Sequence, residues 1–264
     1  MLEKFTLFEG AGAVGWKNWQ ARWARQQAEA WVGNIIAGVR THQRAAPSDR
    51  ALHVISWHRD QTGALLDQQV AAVELLNVLR PVVAIAHFIV FAALALHAYP
   101  HCRKKIEAGQ AGYLECFVQE VRRFYPFFPF AAACVRHSFI WRGYHFPQGT
   151  RVLLDLYGTN HDARSWTQPD EFQPERFYGW KPNAFDFIPQ GGGDYYINHR
   201  CAGAWITIEV MKAAIDLLAK AMTYEVPPQN LRFRFFDFPA IPRSHFVMSQ
   251  VRRTAAFISE GYPA

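Results

Sequence analysis

Apolar residues in the first third of the chain recur every three or four positions, which is the spacing of one helix face. This spacing predicts a first helix over Trp16–Val39. Its apolar stripe comprises Trp16, Trp19, Trp23, Ala30, Ile35 and Val39. A short helix is predicted over Ala51–Arg59 and a very long one over Leu65–Ala98. Pro81 lies inside the long helix, where it removes one backbone hydrogen bond and predicts a kink.

Beyond Pro100 the pattern mixes short helices and strands. The predicted elements are helices over His101–Ala108, Gly112–Phe124 and Ala202–Met222, and strands over Ala131–Phe139, Trp141–His145 and Arg151–Leu156. An irregular, proline-rich stretch separates the strands from the last helix, and a β-like tail follows that helix. This order predicts a mainly α chain of the α+β class, with a single domain over residues 1–264.

The stretch Pro81–Pro100 contains no Lys, Arg, Asp or Glu and approaches the length that spans a bilayer, about 20 residues. It continues out of the partly polar stretch Gln68–Leu79 and holds two histidines. We therefore expect a buried central helix, with no membrane span. A membrane helix is the alternative.

Composition narrows the function classes. Half of the residues are hydrophobic, so the chain can bury a large core, and the net charge of +6 is mild for 264 residues. The basic triplet Arg103-Lys104-Lys105 is typical of a solvated helix face, so nucleic-acid binding is not expected. The four cysteines show no paired spacing, which argues against a disulfide framework or a zinc site. A reducing, cytoplasmic location is expected.

Three consecutive glycines, Gly191 to Gly193, predict a tightly bent loop, because glycine is costly inside a helix or strand. Cys201 ends this loop just before the predicted helix Ala202–Met222. Free N–H groups at a helix start favour a thiolate there, and the adjacent His199 and Arg200 add positive charge. The residues alone leave open whether this sulfur binds a cofactor, attacks a substrate or is an inert buried cysteine.

Glu120 and Arg123 lie three residues apart on a predicted helix and so share a face. A surface ion pair is the simple interpretation, and such pairs contribute little. Arg176 changes this view, because it lies in an aromatic, proline-rich segment ahead of the cysteine loop. A buried carboxylate held between two arginines would anchor that segment.

Three motifs in this order and spacing resemble the cytochrome P-450 haem-thiolate family. They are Glu-x-x-Arg at Glu120–Arg123, Phe-x-Pro-Glu-Arg-Phe around Arg176, and a loop from Phe187 that ends in Arg-Cys-x-Gly at Cys201. The resemblance implies a cytochrome P-450 fold with haem b as cofactor and Cys201 as the iron ligand. It also implies that Glu120, Arg123 and Arg176 form the structural triad of the family.

The same resemblance implies which residues contact the haem. They are Cys201, Phe187, Gly192, Gly193, Arg200, His199 and Arg136. Family members usually carry an arginine for a haem propionate in the first strand after Pro129. Here Cys134 holds that position, and Arg136 two residues later would share its strand face.

The long helix carries Arg80-Pro81 and lacks the acid–threonine pair of ordinary monooxygenases of this family. Arg80-Pro81 is similar to the fatty-acid peroxygenase branch, in which hydrogen peroxide is the oxidant and no redox partner is required. This resemblance implies that Arg80 binds the carboxylate of a fatty acid, which then serves as the acid–base group. Pairing with Glu74 is the alternative for Arg80.

Phe128, Pro129 and Phe130 are predicted to line the substrate pocket, with plain core packing as the alternative. The chain begins at a point that resembles the loop before the G helix of the fold, so we expect an N-terminally truncated form. Two functions follow from these observations. One is a peroxygenase that hydroxylates the α or β carbon of fatty acids, and the other is a non-catalytic relative that does not retain haem.

Overall fold

The computed structural model describes residues 16–181, 183–198, 200–235 and 240–254. The described α-helices are α1 (Trp16–Arg40), α2 (Ala51–Ser56), α3 (Gln68–Ala98), α4 (Pro100–Glu107), α5 (Tyr113–Phe124), α6 (Leu156–Asn160) and α7 (Ala204–Asp216). The described strands are β1 (Phe130–Cys134), β2 (Phe139–Trp141), β3 (Tyr144–Phe146), β4 (Arg151–Asp155), β5 (Met222–Glu225) and β6 (Ser249–Arg253). Contacts divide the chain into two compact units, one up to Ala86 and one from His87 onward. The single domain over residues 1–264 stays a prediction.

The first unit is built on α1 and the first half of α3. Their small and aliphatic side chains form one buried cluster, to which α2 adds partly buried residues. The buried members are Ala28, Val32, Ile36, Ala71, Ala72, Leu75 and Leu76. Arg40 closes the end of α1, since its guanidinium donates hydrogen bonds to the carbonyl oxygens of Ser56 and Leu66, both at 2.8 Å.

The helix predicted from the apolar stripe is present, but Trp19 and Trp23 of that stripe do not face the core, whereas Val39 of the same stripe is buried. Trp19 is 60% exposed and Trp23 is 45% exposed. The buried stripe contains Ala21, Ala24, Ala28, Val32, Ile36 and Val39. Small side chains let two helices approach closely, whereas a tryptophan at the same contact would hold them apart.

The long helix α3 continues through Pro81 and runs across the boundary between the two units. It is the one helix in the described residues that is long and apolar enough to cross a membrane. Such helices also occur as core helices of soluble proteins. Several α3 side chains are buried within each unit, including Leu75 and Leu76 in the first and Phe88 and Phe91 in the second. This burial supports the core-helix interpretation, which stays a prediction.

The second unit is organised around α5, which is buried on most of its surface. Apolar residues such as Phe117, Val118 and Val121 are fully buried. Polar residues Glu120, Arg122 and Arg123 are buried on the same helix. Burying three ionisable side chains is costly unless each has hydrogen-bond partners, so the contacts of these three residues are central to the stability of this unit.

Three antiparallel strand pairs complete the second unit. β1 pairs with β4, β2 with β3, and β5 with β6. The single strand predicted over Ala131–Phe139 was wrong, because β1 ends at Cys134 and β2 starts a separate hairpin at Phe139. Val135 continues the pairing of β1 with β4 through two backbone hydrogen bonds of 2.9 Å with the residues ahead of β4, and the chain bends after it, at Arg136 and His137.

The last predicted helix, Ala202–Met222, is also shorter in the structure. α7 covers Ala204–Asp216, and a π-helical turn over Leu217–Ala221 leads into β5. A backbone turn therefore separates Cys201 from the first residue of α7.

Candidate functional site

The cysteine loop runs from Phe187 to Gly203 and is fixed to the core at its start. Phe187 and Ile188 are buried. The backbone N–H of Ile188 donates to the side-chain oxygen of Asn160 at 2.9 Å, and Asn160 is itself buried. The N–H of Cys201 donates to the carbonyl of Gln190 at 3.0 Å. This last bond ties the two ends of the loop together.

Cys201 lies half-buried at the end of the loop. Its carbonyl accepts a hydrogen bond from the N–H of Ala204 at 3.2 Å, which places the cysteine at the start of the turn that becomes α7. The thiol is free, as are those of Cys102, Cys116 and Cys134. A half-exposed thiol that forms no disulfide, one turn ahead of a helix, can act as a ligand.

Gly192 and Gly193 are required by close contacts within the loop and with Ala184 just ahead of it. A Cβ on Gly192 would approach the Cγ2 atom of Ile188 to 2.7 Å and the carbonyl oxygen of Ala184 to 2.9 Å. Gly193 has φ of +87°, and a Cβ there would lie 2.6 Å from the Oδ1 atom of Asn198. That oxygen already accepts the N–H of Asp194 at 2.8 Å, so it cannot move freely. A role for these glycines beside the haem stays a prediction.

Replacing Gly193 by Ala tests this explanation. Gly149→Ala is the matched control, since Gly149 has φ of +84° and no atom within 4 Å of an added Cβ. The control is expected to lose about 1–2 kcal/mol for the left-handed backbone alone. Gly193→Ala is expected to lose more, because the Asn198 side chain must also move. Urea unfolding of the two haem-free variants measures the difference, and equal losses would count against the loop explanation.

Arg200 is held against an aromatic pair next to the cysteine. Its guanidinium carbon lies 4.1 Å from the ring centroid of Tyr195 and one of its NH groups donates to the carbonyl of Gly193 at 3.3 Å. The Tyr195 ring stacks on Trp205 with centroids 4.1 Å apart. These contacts place a positive charge in the cysteine loop, as predicted for Arg200. His199 lies outside the described residues.

The structure brings Glu120, Arg123 and Arg176 together. Glu120 and Arg123 both have side chains with 0% exposure, joined by two hydrogen bonds of 2.7 and 2.8 Å. The Nε atom of Arg176 lies 3.3 Å from the same carboxylate. The backbone N–H of Gln173 adds a fourth donor at 2.8 Å. Each carboxylate oxygen is therefore satisfied, which is the condition for burying a charge.

The two arginines also hold the irregular segment that precedes the cysteine loop. Arg123 donates to the backbone carbonyls of Asn160 and Pro169, both at 2.9 Å. Arg176 donates to the carbonyls of Thr167 and Gln168 at 2.6 and 3.1 Å. Charged donors thus satisfy the carbonyl at the end of α6 and three carbonyls of the irregular segment that follows it. Desolvation lowers the pKa of Arg176, while the facing Glu120 carboxylate opposes that shift.

Phe128 and Phe130 are half-buried and Pro129 is buried. The carbonyl of Pro129 accepts the N–H groups of Leu156 and Tyr157, both at 3.0 Å, which fixes the chain at the start of β1. Pocket lining by these three residues stays a prediction. Arg136 is exposed two residues beyond the end of β1, so the argument that it shares a strand face with Cys134 does not hold.

Arg80 and Pro81 lie in α3, within the first unit, whereas Cys201 belongs to the second. Arg80 is half-buried and Pro81 is exposed. Their proposed roles rest on the sequence match.

Sequence reasoning missed Arg122 and Gln190. Arg122 is buried beside Arg123, and its guanidinium donates to the side-chain oxygen of Gln190. Burial lowers the pKa of Arg122 to about 10. The two residues are 68 positions apart, so no local pattern could reveal their contact. The available signal was Gln190 itself, a polar residue directly ahead of the three consecutive glycines.

The family model for cytochrome P-450 matches residues 108–239, which is half of the chain. The chain belongs to the cytochrome P-450 family. The match begins at the end of α4 and includes Glu120, Arg123, Arg176 and Cys201. The recognition of this family and of its fatty-acid peroxygenase branch from the sequence is confirmed.

Solved structures of P-450 proteins match most of the chain. A variant of cytochrome P-450SP alpha is 48% identical with a TM-score of 0.83, over 96% of this chain and 62% of its own. Cytochrome P-450EX alpha with myristic acid is 47% identical with a TM-score of 0.83, over 96% and 61%. A variant of cytochrome P-450 OleT in complex with arachidonic acid is 36% identical with a TM-score of 0.82, over 96% and 61%. The predicted mainly helical P-450 fold is confirmed.

The chain spans about three fifths of the length of those structures and less of the curated relatives. Cytochrome P-450 84A4 of Arabidopsis thaliana is 29% identical over 120 residues, which are 44% of this chain and 23% of that protein. A putative cytochrome P-450 137 of Mycobacterium tuberculosis is 26% identical over 211 residues, or 75% and 42%.

Membership of the P-450 family implies a haem whose iron is bound by a cysteine thiolate. The described residues around Cys201 fit such a group. Gly203 lies between the sulfur and Ile206. A Cβ on Gly203 would lie 3.7 Å from the sulfur and 3.8 Å from the Cγ2 atom of Ile206. Ile206 and Trp205 are large apolar side chains that are more than half exposed. A half-exposed thiol beside exposed apolar surface suits a flat apolar macrocycle that needs one protein ligand.

Proposed function

We propose that this chain is the haem-binding part of a P-450 peroxygenase that uses hydrogen peroxide to hydroxylate fatty acids near the carboxylate. The observation that carries the proposal is the similarity to cytochrome P-450EX alpha with myristic acid, at 47% identity over 96% of this chain. The OleT variant, 36% identical, is in complex with a second fatty acid, arachidonic acid.

In this proposal Cys201 would hold haem b by binding its iron through the thiolate. Phe187, Gly192, Gly193 and Arg200 would border the group, together with His199 and Arg136. When bound, thiolate-ligated haem supplies the electron density that favours cleavage of the O–O bond. The protein contributes the position of the sulfur, which the hydrogen bonds at both ends of the cysteine loop hold in place.

Arg80 would bind the carboxylate of the fatty acid. A guanidinium stays charged at any working pH and presents a planar fork that matches a carboxylate. Pro81 next to it would fix the direction of the helix at this point. Phe128, Pro129 and Phe130 would line the path of the acyl chain with apolar surface.

The bound carboxylate would then move a proton between the peroxide oxygens, since a positioned carboxylate can act as a general acid and base. The reaction therefore requires a substrate that carries its own carboxylate. Carbons next to that carboxylate would lie nearest the oxidant, so hydroxylation at the α or β carbon is the expected outcome.

Because peroxide supplies both oxygen and electrons, no redox partner would be required. We propose a cytoplasmic protein whose long helix α3 is a core helix, with fatty acid and hydrogen peroxide as its partners and no nucleic acid. The second candidate function is a non-catalytic relative that does not retain haem.

The test is turnover of myristic acid with hydrogen peroxide by the purified, haem-reconstituted chain, with no reductase present. We expect 2-hydroxy or 3-hydroxy myristate, identified by mass spectrometry. Methyl myristate is the matched control substrate, since it has the same acyl chain and no carboxylate, and it should give no product. No haem uptake and no hydroxylation would favour the non-catalytic relative, whereas haem uptake without any hydroxylation would overturn the proposed peroxygenase activity.

A further inference from the structure

Gln190 contacts Cys201 through both its backbone and its side chain. Its carbonyl accepts the N–H of Cys201 at 3.0 Å. Its side-chain amide nitrogen lies 3.8 Å from the sulfur of the same residue, in a donor position for a sulfur acceptor. One residue thus fixes the backbone of the cysteine and directs an N–H at its sulfur.

Arg122 determines which way the Gln190 amide faces. The Nε and one NH group of Arg122 lie 3.2 and 2.8 Å from the amide oxygen of Gln190. An arginine side chain has only donors, so the oxygen and not the NH₂ group must face it. The NH₂ group is consequently turned toward Cys201.

Both hydrogens of that NH₂ group have acceptors. One is directed at the sulfur of Cys201, and the nitrogen also lies 3.3 Å from the hydroxyl oxygen of Thr207 on α7. The Thr207 hydroxyl donates in turn to the carbonyl of Gly203 at 2.8 Å. Since that hydroxyl uses its one hydrogen there, it can only accept from Gln190. The network therefore has a single consistent orientation.

The position of Arg122 is costly, which argues against an accidental contact. The residue is 4% exposed. Its third contact is a donation to the side-chain oxygen of Gln119, and its guanidinium carbon lies 5.3 Å from the ring centroid of Phe187. Desolvation is the main cause that lowers its pKa. Burying a cation is costly unless its donors find acceptors, and all three nitrogen atoms of the Arg122 guanidinium donate to side-chain amide oxygens.

We propose that Arg122 is a positioning residue that orients the Gln190 amide toward Cys201 and thereby limits how much electron density the sulfur gives to a bound iron. Hydrogen bonds to a ligand from surrounding residues tune the reduction potential of haem. An N–H directed at the thiolate withdraws electron density and raises the potential. This inference rests on the proposed function, in which Cys201 is the iron ligand.

Two substitutions at Gln190 test the amide itself. Gln190→Glu keeps the acceptor for Arg122 and removes both N–H groups, whereas Gln190→Met removes donor and acceptor at similar length without adding charge. Both variants of the haem-loaded chain are expected to shift the ferric/ferrous midpoint potential to more negative values. The reduced-CO absorption band should also move, since it reports on thiolate donation.

Arg122→Gln tests whether the arginine acts through the amide. It is expected to shift the potential in the same direction when Gln190 is present. In the Gln190→Met background the same substitution should add no further shift, because the amide that it positions is gone. Arg164→Gln removes one positive charge from a side chain that is 90% exposed, and it should leave the potential unchanged.

The outcomes separate this inference from the function on which it rests. Haem uptake by all variants with an unchanged potential overturns the positioning role and leaves the proposed function standing. An equal shift for Arg122→Gln in both backgrounds overturns the role as well, since it would indicate a plain charge effect. No haem uptake by the wild-type chain overturns both proposals.

Discussion

Arg80→Ala is expected to abolish peroxide-driven hydroxylation of fatty acids while leaving haem content unchanged. The substitution removes the fork that would bind the substrate carboxylate, and with it the acid–base group that this carboxylate supplies. Positioned acid–base catalysis alone contributes about 10²–10⁴-fold, so the loss of turnover should be at least of that size. Product formation from myristic acid and hydrogen peroxide, measured at matched haem concentration, provides the readout.

Two further variants identify the reason for that loss. Arg80→Lys retains a positive charge without the planar fork, and it should show weak activity between the two extremes. The second variant is Glu74→Ala; Glu74 lies on the same helix as Arg80 and is exposed. It should leave turnover unchanged if Arg80 serves the substrate, and reduce turnover if Arg80 is a structural partner of Glu74. Normal turnover by Arg80→Ala would refute the carboxylate-binding mechanism.

Glu120→Gln is expected to lower the free energy of unfolding by about 3–5 kcal/mol, which is typical when one partner of a buried ion pair is removed. Both Glu120 and Arg123 have 0% side-chain exposure. The variant leaves the buried Arg123 cation without its carboxylate and places an NH₂ group among donors. Arg176 also loses its facing charge, so the segment around Thr167 and Gln168 should loosen as well.

The matched control is Glu107→Gln, the same substitution in the more exposed pair that joins Arg103 and Glu107 at 2.8 Å on α4. Exposed pairs contribute about 0–1 kcal/mol, so the control should change little. Urea unfolding followed by far-ultraviolet circular dichroism gives both values. Equal, small effects would mean that the buried triad is not what holds the second unit together.

Local sequence patterns predicted where the helices lie, because each is defined by contacts three and four residues apart, although the helix predicted over Ala202–Met222 extended beyond both ends of α7. α5 was predicted one residue too long, and α3 was predicted with Pro81 inside it. The buried face of α1 was not predictable in the same way. The tryptophans are the largest side chains of that helix, but a close contact with another helix requires small residues, and a single segment does not show where that contact will form.

The contacts of the candidate site were likewise predictable where they are local in sequence or involve a recognisable motif, and not predictable where they join distant residues without one. The triad could be predicted, because Glu120 and Arg123 lie one turn apart and Arg176 belongs to a recognisable motif. The contact between Arg122 and Gln190 could not, because it forms only when α5 and the cysteine loop are brought together by the fold. The break after Cys134 was missed for a similar reason, since no glycine or proline marks the turn before Phe139.

The reduced-CO absorption spectrum of the purified chain after addition of haem tests the central claim most directly. A haem held by Cys201 predicts the long-wavelength band of thiolate-ligated haem. Cys201→Ala should lose this band, and Cys134→Ser, which alters an exposed cysteine, should keep it. No uptake of haem, or the same thiolate band in Cys201→Ala, would contradict the assignment of Cys201 as the iron ligand.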